Sequence, residues 1–320
     1  MIAKFLAALL FAALVAAGQT VPIIFDTDMG NDVDDALALA MIHALESRGE
    51  AKLLAVTITK ANRYAATFVD IVDTFYGRGD IPIGMVRDGK TPEDSAMIRV
   101  PSERRKTDGS FVYARRGGAP ADAVTVLRRA LAAERDGSVV IVQVGFSSNL
   151  AALLATDRDL VKKKVRLLSA MAGHFPTGPP EYNVKTDIPA AGKVFQEWPT
   201  PIVFSGYEIG AALLFPAASI EHDFSWTPAH PVADAYRAYK PMPYDRPTWD
   251  LTAVLYAVRA DRGYFSLSGP GHVTVDEQGQ THFAAESSGN CRYLILDDAQ
   301  KARTLEVLIL LASQPAIIKK

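Results

Sequence analysis

Apolar runs and runs with helical spacing alternate along most of the chain. The runs "VPIIFD" and "AKLLAVTIT" are short, continuous and rich in β-branched residues, and the helical segments "DALALAMIHALES" and "RYAATFVDIVDTFYG" follow them. Four more apolar runs follow, namely "IPIGMV", "SVVIVQVG", "KVRLLSAM" and "PIVFSG", with helical spacing near residues 120–135, 148–156 and 187–197. Continuous apolar strands are typical of a parallel sheet covered on both faces. We therefore predict an α/β fold with an open, doubly wound, mostly parallel sheet.

Two segments depart from this alternation. Residues 87–119 are polar and rich in Arg and Gly, and a connection of this length is usually a lid, a binding loop or disordered. After residue 263 come the short strand-like runs "GYFSLS", "GHVTVD", "THFAAES" and "RYLILD" at hairpin spacing, and then a helical run, "DDAQKARTLEVLILLAS". We predict a single domain over residues 19–320, in which residues 263–320 form a small C-terminal β/α appendage.

The composition is that of a globular protein, with 320 residues, 49% hydrophobic and 22% charged, and a formal charge of −2. Such a balance gives no reason to expect nucleic acid or an acidic membrane surface as a partner. Cys291 is the single cysteine of the chain, so an intramolecular disulfide is excluded.

The first eighteen residues, "MIAKFLAALLFAALVAAG", resemble a secretory signal peptide with a cut after Gly18. The alternative is a membrane anchor, but the apolar core is shorter than the ~20 residues that a spanning helix needs. We expect the mature protein to be exported, periplasmic or secreted, and not bound to a membrane after cleavage.

A cluster of aspartates directly after the first strand is the main candidate for chemistry. Such strand ends are where open α/β sheets collect functional groups. Crowded carboxylates raise each other's pKa, so a cluster of this kind needs a compensating charge. Within ten positions the sequence places Asp26, Asp28, Asp32, Asp34 and Asp35.

Three kinds of site could explain the cluster. An EF-hand loop is excluded because the twelfth position from Asp26 is Leu37, where a bidentate Glu is required. A phosphotransferase with an Asp-x-Asp nucleophile and Mg²⁺ fits "FDTDMG", but no acidic pair follows the later strands. The third explanation is a hard-cation site, and several carboxylate ligands suit Ca²⁺.

Four later segments follow the aspartate cluster in the chain, namely "KAN" at 60–62, "GFSSNLAALL" at 145–154, "PEYNVKTDIPAA" at 180–191 and "WDLTAVLYAV" at 249–258. Together with the cluster, these five segments in order resemble the inosine-uridine-preferring nucleoside hydrolases. The cluster resembles the family's Asp-x-Asp-x-Gly-x-Asp-Asp signature. The resemblance implies hydrolysis of the N-glycosidic bond of ribonucleosides to ribose and free base, with a Ca²⁺-bound water as nucleophile. It also implies a nucleoside as substrate and a homodimer or homotetramer.

The resemblance assigns roles to individual residues. Asp28 would take the proton from the water and also bind the ion. The remaining metal ligands would be Asp35, the backbone carbonyl of Ser148, and Asp250. Residues expected to hold the ribose hydroxyls are Asp34, Asn62, Glu181 and Asn183.

Two departures from the family pattern bear on the chemistry. The signature carries two more residues than usual before Asp34 and Asp35, so Asp32 competes for one of their roles. Several family members have His before the last Asp, where it protonates the departing base, whereas this chain has Trp249. An indole N–H is no general acid near neutral pH. We predict that Trp249 stacks on the base, which takes its proton from water or is activated by ring polarisation, with His174 as a candidate substitute acid. The alternative is that Trp249 only packs against the ribose pocket.

Two other functions stay open. One is a non-catalytic, Ca²⁺-stabilised ribose- or nucleoside-binding protein, in which Trp249 marks the loss of proton donation. The other is the Mg²⁺-dependent phosphatase. Sugar release from nucleosides and phosphate release from a phosphomonoester distinguish these functions from a nucleoside hydrolase.

Overall fold

The computed structural model describes residues 20–315, so the predicted signal peptide at 1–18 lies outside the described residues. The strands are β1 Val21–Thr27, β2 Ala51–Lys60, β3 Ile83–Lys90, β4 Ala121–Asp122, β5 Val139–Gln143, β6 Val165–Met171, β7 Ile202–Ser205, β8 Leu214–Phe215, β9 Arg246–Pro247, β10 Ser266–Leu267, β11 Gly271–Val275, β12 Thr281–Ala285 and β13 Cys291–Ile295. The α-helices are α1 Asp34–Ser47, α2 Arg63–Phe75, α3 Ala96–Glu103, α4 Ala123–Ala133, α5 Ser148–Lys164, α6 Tyr182–Thr186, α7 Ile188–Glu197, α8 Tyr207–Ala211, α9 Ala217–His222, α10 Pro231–Tyr239, α11 Trp249–Arg259 and α12 Asp298–Ala312.

One large sheet organises the molecule. Its strand order is β12-β11-β13-β7-β6-β5-β1-β2-β3-β4, with β10 paired to β13, and the strands from β7 to β4 are parallel. From β1, the chain adds β2, β3 and β4 in turn on one side of the sheet. It then returns to the other side of β1 and adds β5, β6 and β7. The order therefore reverses between β1 and β5, and ligands of open α/β sheets bind in the crevice beside such a reversal.

Successive residues of β1 point to opposite faces of the sheet and enter two separate cores. Ile23 and Phe25 pack into a core with α1, α2, α11 and α12, while Ile24 packs into a second core with α4, α5 and α7. All three side chains are fully buried. This pattern is the period-two alternation of a strand that is covered on both sides, and it confirms the predicted doubly wound, mostly parallel sheet.

Helix α1 is unusual because nearly all of it is buried, from Asp34 to Leu45. A helix that is apolar on every side belongs in a core, and α1 is enclosed by α11, α12 and the sheet. The two aspartates of its first turn are therefore buried as well, where the positive end of the helix dipole favours them.

The C-terminal β/α appendage is joined to the main sheet by strand pairing. Strand β13 pairs in parallel with β7, with Cys291 opposite Ile202, and β11 and β12 add antiparallel strands beyond it. Residues 87–119 are partly regular, since they complete β3 and include α3. Among the described residues, no helix combines the length and the apolar character needed to cross a bilayer.

Candidate active site

A cavity of about 360 Å³ lies at the carboxyl ends of the strands, where the strand order reverses. Most of its lining is acidic or aromatic. The acidic residues of the lining are Asp28, Asp32, Asp34, Asp35, Glu181 and Asp250. The other residues of the lining are Asn31, Val144, Met171, Tyr182, Asn183, Tyr207, Tyr239, Arg246 and Trp249.

Three buried carboxylates form the floor of this cavity. Asp34, Asp35 and Asp250 each offer an oxygen atom within 4.8 Å of the other two. The backbone N–H of Asp250 donates to Asp34 Oδ2 at 3.0 Å, which connects the start of α11 to the start of α1. Burial, followed by repulsion from neighbouring carboxylates that include Asp28 and Asp32, raises the pKa of all three carboxyl groups well above the usual range.

Asp28 lies beside these three acids on the loop after β1. Its Oδ2 accepts a hydrogen bond from Asn31 Nδ2 at 2.7 Å, and Lys60 Nζ donates to Asn31 Oδ1 at 2.8 Å. Burial raises the pKa of Asp28 to about 6. The loop after β5 approaches closely here, because a Cβ on Gly145 would lie 2.5 Å from the backbone nitrogen of Asp28. Glycine at 145 therefore lets the two strand ends meet.

Asp26 has a structural role behind the cavity. Its Oδ1 accepts hydrogen bonds from Thr57 Oγ1 at 2.6 Å and Asn149 Nδ2 at 2.8 Å, and its side chain is fully buried. Burial raises its pKa to about 7. These bonds connect the ends of β1 and β2 with the start of α5.

Glu181 and Asn183 lie on the opposite wall. Glu181 caps α6 by accepting the backbone N–H groups of Asn183 and Val184, and it also accepts the N–H of Gly173. Burial raises the pKa of Glu181 to about 7. The Asn183 amide donates to the carbonyl oxygen of Val144 at 2.8 Å. These two of the four predicted ribose ligands therefore line the cavity and are held by backbone contacts.

Two predicted site residues do not line the cavity. Asn62 caps α2 by accepting the N–H of Tyr64, and its amide nitrogen donates to the carbonyl oxygens of Pro92 and Glu93. Ser148 is the first residue of α5, so its carbonyl points along the helix. The residue near it that does line the cavity is Val144, directly after β5.

Trp249 is part of the wall, at the first position of α11. Its indole N–H donates to the carbonyl oxygen of Tyr207 at 2.9 Å, and the two rings lie 5.4 Å apart between centroids. His174 is outside the lining, behind Tyr207, with ring centroids 5.4 Å apart and its Nε2 4.0 Å from Glu208.

The cavity also contains residues that sequence reasoning did not identify. Arg246 donates from Nε to Asp32 Oδ1 at 2.8 Å, and a second guanidinium nitrogen contacts the other carboxylate oxygen. Its guanidinium carbon lies 5.2 Å from the Tyr239 ring centroid. Arg246 lies three positions before Trp249, and only this closeness to a matched motif could have indicated it.

The donor set fits a hard cation. Asp34, Asp35 and Asp250 offer only carboxylate oxygens, and within residues 20–315 none of them forms an ion pair with Lys, Arg or His. Buried charges without partners are costly, and a divalent ion would offset both the burial and the repulsion. Oxygen-only ligands favour Ca²⁺ or Mg²⁺ over the softer transition metals.

Comparison with known proteins agrees with this fold. The family model for inosine-uridine preferring nucleoside hydrolases matches residues 23–309. Among solved structures, a plant nucleoside hydrolase, PpNRh1, superposes with a TM-score of 0.70 at 21% identity, covering 92% of this chain and 99% of that chain. No curated protein matches the chain significantly.

Two bacterial structures are similar to the same extent. A purine-preferring ribonucleoside hydrolase from Gardnerella vaginalis has a TM-score of 0.70 at 19% identity, covering 91% of this chain and 98% of its own. An inosine-uridine preferring nucleoside hydrolase from Bacillus anthracis has a TM-score of 0.71 at 17% identity, covering 92% and 99%.

A doubly wound sheet with a buried acidic cluster at its reversal point thus defines the class of the protein as an α/β hydrolytic enzyme of the nucleoside-hydrolase fold. The chain belongs to the inosine-uridine preferring nucleoside hydrolase family, a family of N-glycosidic-bond hydrolases.

Proposed function

We propose that the protein hydrolyses the N-glycosidic bond of ribonucleosides to ribose and free base, with Ca²⁺ as its ion. The observation that carries this proposal is the single cavity that brings Asp28 together with Asp34, Asp35 and Asp250. When bound, Ca²⁺ would hold the attacking water and lower its pKa. Calcium is preferred over Mg²⁺ because it accepts six to eight oxygen ligands in irregular geometry.

The side chains around the ion position the substrate. Asp28 is the proposed base, held by Asn31, and it lines the same cavity as the acidic cluster. Asp34, Glu181 and Asn183, which line the same cavity, are the proposed contacts of the ribose hydroxyls. As the C–N bond stretches, the ribose gains positive charge, and the surrounding carboxylates favour that charge over the ground state. Ser148 and Asn62 would support the site indirectly. Ser148 does so as the first residue of α5, and Asn62 does so through its hydrogen bonds to residues 92–94.

The leaving base would be accommodated by the aromatic wall. Tyr182, Tyr207, Tyr239 and Trp249 surround the cavity, and a flat ring stacked there gains contact area that increases from pyrimidine to purine. Because Trp249 cannot donate a proton at neutral pH, protonation of the base would come from solvent or from His174 acting behind Tyr207.

A nucleoside panel tests the activity. Reducing-sugar release from inosine, guanosine, adenosine, uridine and cytidine is measured before and after chelation, and again after Ca²⁺ is restored. We expect release that chelation abolishes and Ca²⁺ restores. The Asp28→Asn variant should lose it, while Asp159→Asn, an exposed change on α5, should retain it. Nucleoside binding without sugar release would instead indicate a binding protein, and phosphate release from a phosphomonoester would indicate a phosphatase.

His174→Ala tests the source of the proton. If His174 assists the departing base, the variant loses rate on inosine but retains it on p-nitrophenyl riboside, whose leaving group needs no proton. Equal losses on both substrates contradict this role.

Export and assembly are also part of the proposal. Residues 1–18 are proposed as a signal peptide that is removed after Gly18, giving a periplasmic or secreted protein. N-terminal sequencing of the mature chain tests the cut. A homodimer or homotetramer is proposed from the family, and light scattering tests it.

A further inference from the structure

Asp32 and Arg246 form an ion pair at the wall of the cavity, although they lie 214 residues apart in the chain. Both guanidinium nitrogens on one edge of Arg246 face the two oxygens of Asp32. The side chains are largely buried, with exposures of 23% for Asp32 and 16% for Arg246. A two-point contact of this kind fixes the orientation of the guanidinium plane as well as its position.

The oriented guanidinium lies over Trp249. Its central carbon is 5.1 Å from the indole ring centroid, within the range of a cation–π contact. Two further contacts fix the indole, because its N–H is bonded to Tyr207 and its backbone packs against Gly210, where a Cβ would lie 2.3 Å from the Trp249 Cα. The edge and the backbone of Trp249 are therefore held by α8, and its ring face is held by Arg246.

Within the described part of the chain, Asp32 differs from the neighbouring acids in having an ion-pair partner. Arg246 compensates the charge of Asp32, whereas Asp34, Asp35 and Asp250 converge on one point. The two additional residues in the aspartate signature thus place one more carboxylate at the cavity, and that carboxylate is paired with Arg246.

We propose that Asp32 and Arg246 are positioning residues for recognition of the leaving base: Asp32 orients the guanidinium, and the guanidinium holds the Trp249 ring where the base stacks. In this arrangement Asp32 is not a ligand of the ion. The inference rests on the proposed nucleoside hydrolysis and names the residues that set its base preference.

The test compares Asp32→Asn, Arg246→Gln, Arg246→Lys and the double variant Asp32→Asn/Arg246→Gln in the full chain. Arg104→Gln is the matched control, because it also breaks an Arg–Asp ion pair, with Asp234, outside the cavity. Calcium affinity is measured by isothermal titration calorimetry, and kcat and KM are measured on inosine and uridine. Thermal unfolding identifies any variant that does not fold.

We expect Asp32→Asn and Arg246→Gln to lower the inosine-to-uridine ratio of kcat/KM by about tenfold each, because a purine loses more stacking area than a pyrimidine. The double variant should be no worse than either single variant, since both remove the same contact. Arg246→Lys should retain only part of the parent's inosine-to-uridine ratio of kcat/KM, because an ammonium group cannot make the planar two-point contact of a guanidinium. Calcium affinity should stay within about threefold of the parent in every variant.

Three results overturn the inference. A tenfold or larger loss of Ca²⁺ affinity in Asp32→Asn makes Asp32 a ligand. Equal losses of kcat/KM on inosine and uridine make the pair a general structural contact. If kcat/KM is unchanged in every variant, the pair has no role in recognition of the base. If the parent releases no sugar from any nucleoside, the proposed function fails instead. The calcium measurement still decides whether Asp32 binds the ion.

Discussion

Two buried polar clusters lie at opposite ends of α1, and they differ in how their charge is compensated. At the N-terminal end, Asp34 and Asp35 meet Asp250, and the cluster contains only acids. Toward the C-terminal end, His43 Nε2 contacts Asp73 Oδ1 at 2.8 Å, and His43 Nδ1 contacts Glu46 Oε2 at 3.2 Å.

The second cluster contains its own cations. Glu46 is paired with His43 and also with Arg78. Hydrogen bonds to Asp73 and Glu46 raise the pKa of His43, although burial alone would lower it. A structural cluster is thus complete without any ligand. The first cluster is complete only when something positive enters the cavity, and this incompleteness distinguishes a binding site from a buried ion pair.

The largest expected effect is on stability, from breaking the complete cluster. Asp73→Ala removes a buried partner of His43 and should cost about 3–5 kcal/mol in the free energy of unfolding, measured in urea. Asp80→Ala is the control, since Asp80 is 81% exposed and also lies near Arg78. Activity per folded molecule should be unchanged by both variants. A cost below about 1 kcal/mol for Asp73→Ala would mean that the cluster does not hold α1 and α2 together.

A smaller effect, now on activity, is expected from the acidic cluster. Asp35→Asn should lower both Ca²⁺ affinity and kcat/KM by at least roughly a hundredfold, because changes to groups that merely support metal ligands already cost 10–100-fold. Calorimetry and sugar release measure the two quantities. Asp122→Asn, which alters a helix cap remote from the cavity, serves as the control. Unchanged calcium binding in Asp35→Asn would contradict its role as a ligand.

Chelation should reverse the sign of the change in stability that Asp35→Asn causes. If Ca²⁺ is the ion, the parent should gain about 2.7 kcal/mol by mass action when Ca²⁺ is at 100 times its Kd. In excess chelator the ion is absent, and Asp35→Asn should then unfold at a higher temperature than the parent because one repelling carboxylate is gone. No comparable reversal is expected for Asp73→Ala. A parent chain that is equally stable with and without chelator would show that the acids need no ion.

The smallest expected effect is the pH dependence of the complete cluster. The pKa of His43 is raised in the folded chain, so the folded state binds this proton more tightly than the unfolded state does. The stabilisation is therefore fully present below about pH 6.5, the unfolded value, and is lost as the pH rises through the folded pKa. When the free energy of unfolding is measured in urea at several pH values, that of His43→Gln should fall less steeply than that of the parent as the pH rises. An identical slope in the variant and the parent would exclude His43 as the source.

Local patterns in the sequence were sufficient to predict the alternation of strands and helices and the aspartate loop at a strand end. These features depend on neighbouring residues, such as the continuous apolar run of β1 and the helical spacing of α1. The pairing of β13 with β7 was not predictable in the same way. Hairpin spacing indicates which strands are short, but it does not indicate which edge of the sheet they join.

The parts of the site that sequence reasoning missed depend on contacts between distant segments. Arg246 contacts Asp32 only because β9 returns to the cavity. Asn62 follows its strand as the family pattern requires, yet the 92–94 loop engages its amide. Val144, and not Ser148, reaches the cavity, because α5 begins at Ser148 and directs its carbonyl along the helix axis.

The hydrogen bond from Asp250 to Asp34 joins positions 216 residues apart in the chain. During synthesis, a nascent polypeptide that has emerged only as far as α10 carries Asp34 and Asp35 but not Asp250. Such an intermediate presents two of the three converging carboxylates and cannot complete the cluster. The three-carboxylate cluster is therefore assembled late in synthesis, and a chain terminated before α11 would lack one of its members.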